Sequence, residues 1–79
     1  MPLYRFHLHD DLFVEDEEGL ELADLEAARE QALESARELV CAHIRQFGNV
    51  NLDHYIDVAD ESGAILFRIT FRDAFTVSG

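Results

Sequence analysis

Apolar and polar positions alternate from Leu3 to His9, with Tyr4, Phe6 and Leu8 on one side and Leu3, Arg5, His7 and His9 on the other. A period of two with aromatic residues predicts a half-buried strand. Asp10-Asp11 suits a turn, and Leu12-Phe13-Val14 predicts a returning strand that loosens at Asp16-Glu17-Glu18-Gly19 and resumes at Leu20 and Leu22. The period then changes. From Leu25 to Phe47 nothing interrupts a helix, and Leu25, Ala28, Ala32, Ala36, Leu39, Val40, His43 and Phe47 share one broad face, with Leu33 and Ile44 on its flank. Asp24 is placed to cap the start and Gly48-Asn49 to end it. The small alanines along the middle of the apolar face predict a helix lying close on a sheet, with larger residues filling the periphery.

Alternation returns over Leu52–Ala59, where His54, Ile56 and Val58 fall on one side and Tyr55, Asp57 and Ala59 on the other. Asp60-Glu61-Ser62-Gly63 predicts a turn. The last strand is expected to place Ile65, Phe67, Ile69 and Phe71 together, opposite Leu66, Arg68 and Thr70; the tail carrying Phe75 and Val77 is expected to add a strand or a helical turn. Two hairpins flanking one helix predict an α+β domain: a two-layer, four-stranded, mainly antiparallel sheet in the order ββαββ, with the long helix on one face. Residues 1–79 are read as one domain. One helix covers only one side of a sheet, so the second side, or an open edge, is where another copy of the chain is expected to pair.

Charge and cysteine count narrow the possibilities. The formal net charge is −11, lysine is absent, and eight acids face Arg5 alone in the first 24 residues. Phosphate neutralisation needs clustered Lys and Arg, so direct nucleic-acid binding is disfavoured. Acidity on this scale serves solubility, and also suits an acidic regulator that occupies a basic protein surface. Cys41 is the single cysteine, which rules out an internal disulfide and zinc-finger spacing. The segment after Met1 carries Arg5, His7 and His9 where a signal peptide would be apolar, and no apolar run reaches membrane-spanning length; a cytoplasmic location is expected.

At this point Phe6-His7-Leu8-His9-Asp10, Asp16-Glu17-Glu18-Gly19-Leu20-Glu21-Leu22, Asp24-Leu25-Glu26-Ala27-Ala28-Arg29 and Phe71-Arg72-Asp73-Ala74 take on meaning together. In these stretches the chain resembles a family of short bacterial proteins of unknown function, about 80 residues long. The resemblance implies a compact bacterial domain and carries no catalytic, cofactor or ligand residues with it.

The residues themselves offer few sites. His7 and His9, at i and i+2 on a strand, point the same way about 6.5–7 Å apart, close enough for two imidazoles to share a metal. A third ligand would come from Asp11, Asp57 or a second subunit, because His54 falls on the helix-facing side. Histidines on an exposed strand side are ordinary without any metal, and that is the better account of the pair. His43 lies in the helix's apolar face and reads as a tucked, hydrogen-bonded side chain. Asp10-Asp11 and Glu15–Glu18 offer oxygens but lack a calcium-loop pattern, so they read as a solvated acidic loop. Cys41 falls between the glutamates and Arg45 with no cysteine-protease or redox motif around it, and no serine sits in a nucleophile turn. No cofactor is implied. The expectation is a non-catalytic interaction module that forms a homodimer through its second sheet side, an edge strand or the Phe75/Val77 segment; the alternative is a small metal-binding protein or metal-dependent enzyme centred on His7 and His9.

Overall fold

The computed structural model describes residues 1–78. The strands are β1 (Leu3–His9), β2 (Phe13–Val14), β3 (Leu20–Glu21), β4 (Tyr55–Asp60) and β5 (Ile65–Thr70), with helix α1 (Leu25–Phe47) between β3 and β4. They form one antiparallel sheet in the order β2-β1-β4-β5, and β3 pairs with the other end of β1. The two hairpins meet along β1 and β4, with Tyr4 opposite Asp60 and His9 opposite Tyr55. The fold is therefore α+β, an open sheet carrying one helix, as the period change at Leu25 predicts.

The helix begins and ends where its capping residues place it. The Asp24 carboxylate accepts from the Ala27 N–H at 2.8 Å, and Gly48 takes a left-handed φ of 73° while its N–H bonds the Ile44 carbonyl. Ala28, Ala32 and Ala36 have no exposure at all, so the helix backbone sits close to Ile56, Val58, Ile69 and Phe71. Phe71 and Ala74 belong to a short 3-10 turn over Phe71–Ala74, the helical option for the tail. It is tied to α1 by Arg37 Nε, which donates to the Ala74 carbonyl at 2.7 Å.

Four expectations change in detail. The second strand is split: β2 pairs at Leu8 and His9, β3 pairs at Leu3 and Tyr4, and residues 15–19 loop out between them. The third long strand starts at Tyr55 and not at Leu52. Asn51 turns the chain there, its side chain accepting from Asp53 N–H and its carbonyl from His54 N–H. Ile65 leaves the core side, because a one-residue register shift pairs Val58 with Phe67 but Ala59 with Ile65, and Ile65 is 54% exposed. Finally, Leu25, Ile44 and Phe47 are about half exposed and do not fill the periphery. A 23-residue helix is about 34 Å long, whereas strands of six or seven residues span about 20–23 Å, so the helix is too long for any one strand to lie beneath all of it.

Candidate functional site

The side of the sheet away from α1 is built by the alternation of three strands. His9 lies opposite Phe13 on one neighbour and opposite Tyr55 on the other, which brings three rings into a row. The His9 ring is 4.6 Å from Phe13 and stacks on Tyr55 at 4.5 Å with 17° between planes. The Arg68 guanidinium lies 3.7 Å from the centre of the Tyr55 ring. A row of ring and guanidinium contacts thus runs across all four strands of the main path.

Asp57 lies among these groups and is 6% exposed. A buried carboxylate requires donors or counter-charges. Arg68 Nε donates to Asp57 Oδ1 at 2.8 Å, and His9 Nε2 lies 3.4 Å from Asp57 Oδ2. The hydrogen bond to Asp57 raises the Arg68 pKa above its ordinary value. This side of the sheet sets Arg5 and Arg68 against Asp57 and Glu21, nearly neutral within a chain of net charge −11.

His7 makes a different connection. Its Nδ1 accepts from the Asp16 N–H at 3.0 Å, while the Asp16 carboxylate accepts from the Phe6, Glu18 and Gly19 N–H groups at 3.0–3.2 Å. Burial pushes the Asp16 pKa up, but the Gly19, Phe6 and Glu18 donors and the nearby His7 together outweigh it and hold the carboxyl below its ordinary 3.8. Gly19 has φ +74°, and a Cβ there would meet the Tyr4 carbonyl at 2.9 Å. The loop expected to be merely solvated therefore has an organised centre at Asp16, with Glu15, Glu17 and Glu18 exposed around it.

His7 and His9 share the outer side of the sheet, yet His7 turns to the Asp16 loop and His9 to Asp57 and Tyr55. Among the described residues no three His, Cys, Asp or Glu side chains converge so as to hold a metal ion. Cys41 is exposed on α1. Asp11 reaches neither His7 nor His9; its Oδ1 lies 3.6 Å from His54 Nε2.

That contact marks a constellation that reading elements one at a time does not find. His43, near the end of α1, and His54, just before β4, bring their rings to 6.4 Å, with Phe71 within 6.0 Å of each. Beside them is a cavity of about 370 Å³ lined by Asp11, His43, Phe47, Asn49, Asn51 and His54. The Nδ1 atoms of both histidines are shielded from solvent and have no hydrogen-bond partner among the described residues. Their sequence signal is partial: both histidines fall on core-facing positions, but nothing in the sequence sets them at the same end of the molecule. A second, more apolar groove of about 530 Å³ lies between the start of α1 and β5, lined by Leu25, Glu26, Arg29, Leu66 and Phe67.

Fold and sites together define a small two-layer α+β domain with one uncovered sheet side. The family model described as a domain of unknown function (DUF6894) matches residues 3–72, and the chain belongs to that family. No curated protein and no solved structure matches it. No helix among the described residues is long and apolar enough to cross a membrane.

Proposed function

We propose that this domain is a non-catalytic interaction module whose partner is a second copy of itself, paired along the free edge of β5. The observation that carries the reading is the unpaired long side of that strand. β5 ends the sheet, is six residues long, and leaves one row of backbone donors and acceptors without a neighbouring strand. Its charge favours like-with-like pairing, because from Ala64 to Phe71 the only charged residue is Arg68, already bound to Asp57. Leu66 and Ile65 are 41% and 54% exposed, and the groove between Leu25 and Phe67 runs alongside. Two such edges meeting antiparallel would extend the sheet across a two-fold axis and cover these side chains.

Size-exclusion chromatography with light scattering at micromolar concentration tests the pairing. The expected mass is twice the 9.0 kDa of the chain, reverting to 9.0 kDa for Leu66→Lys. Leu66 is exposed, so a lysine there blocks the edge without emptying the core. A wild-type chain that stays at the single-chain mass across the concentration range removes the reading.

A further inference from the structure

The cavity at the end of α1 lies apart from β5 and has a chemistry of its own. Its charged and polar groups favour positive charge. Asp11 contributes a carboxylate whose side chain is 97% exposed, and no Lys or Arg lines the cavity. The C-terminal end of α1 points there, with the partial negative charge of its terminal carbonyls. The amide nitrogen of Asn49 donates to the Phe47 carbonyl, leaving its oxygen as an acceptor. His54 Nε2 lies 3.6 Å from the Asp11 carboxylate, which sets both side chains on the same wall of the cavity. Phe47, 59% exposed, offers a ring face of the kind that attracts cations. A volume of about 370 Å³ falls at the small end of ligand pockets.

From these groups we infer a binding site for a small organic cation bearing N–H donors, an ammonium or guanidinium group, with Asp11 as its counter-ion, the Asn49 side-chain oxygen and the last carbonyls of α1 as acceptors and Phe47 as its stacking surface. Agmatine, which carries both groups, is a suitable probe. Titrated into ¹⁵N-labelled protein at physiological salt, which screens diffuse attraction to the acidic surface, it should give saturable shifts confined to residues 10–12 and 43–54. Asp11→Asn should weaken binding about five-fold and Phe47→Ala about three-fold, while Glu30→Gln, one charge less on the far side of α1, should change nothing. Leu66→Lys should also leave binding intact, separating this site from the β5 edge. Shifts spread along the glutamates of α1, a titration that does not saturate, or equal effects of Asp11→Asn and Glu30→Gln would overturn the assignment.

Discussion

The two sides of the same sheet are held by different physics. Toward α1, Ile56, Val58, Ile69 and Phe71 meet a row of alanines, and almost nothing there is polar. Away from α1, Phe13, His9, Tyr55 and Arg68 lean on one another over a carboxylate. The inner side depends on volume and close fit, so it tolerates neither a gap nor an added methylene. The outer side depends on stacking and charge between half-exposed groups, where water compensates part of any loss. One layer of strands thus acts as a rigid floor on one side and an adjustable surface on the other.

The sharpest way to break this contrast is at Phe71, which is fully buried. Phe71→Ala should cost about 3–5 kcal/mol, enough to unfold much of so small a domain, and Ala32→Leu should cost about 1–3 kcal/mol by overpacking; urea melts followed by circular dichroism read both. A loss below about 1 kcal/mol in either would mean that the inner side is looser than its contacts indicate. The Asp16 loop comes next. Asp16→Ala removes the acceptor of three backbone N–H groups and should cost about 1–2 kcal/mol. Its pH dependence has a definite sign. A carboxyl held below 3.8 in the fold contributes its full stabilisation above that value and loses it as pH falls through the lower folded pKa. Thermal melts of the wild type should therefore fall off below about pH 4 more steeply than those of Asp16→Ala; parallel curves would deny Asp16 its role. The smallest effect belongs to the outer row. Tyr55→Leu removes a ring stacked on both sides and should cost about 1 kcal/mol, read in the same melts. A cost rivalling that of Phe71→Ala would erase the distinction between the two sides.

Much of this architecture was legible because it rests on periodicity and local chemistry. The helix bounds follow from Asp24 and Gly48, whose side-chain acceptor and left-handed φ act on adjacent backbone. The turn at Asp60 is equally local: its carboxylate accepts from the Ser62 and Ala64 N–H groups, which with the Ser62 hydroxyl hold its pKa low. What escaped the sequence depends on register and length across elements. Ile65 alternates properly along its own strand and changes sides only because of its pairing with Ala59. Phe47 continues the apolar stripe of α1 but has no strand beneath it. Asp16 looked like one acid among four, because its donors include Phe6, ten residues away. His43 and His54 were each assigned to the core side, and only the packed helix and loop reveal them as neighbours.

The Asp16 loop has one more consequence. On the side away from β4, strand β1 has pairing partners at both ends but not in the middle, and it is there that the Asp16 carboxylate and amide engage Phe6 and His7. A side chain does the sealing that a neighbouring strand would otherwise do, and the broken rim of two-residue strands beyond it offers no continuous template. Among the described residues, β5 is then the one long strand edge left unpaired. Under the pairing proposed above, an object with one such margin joins only one like object before that margin is used up, so valence rather than solubility would stop growth into fibres.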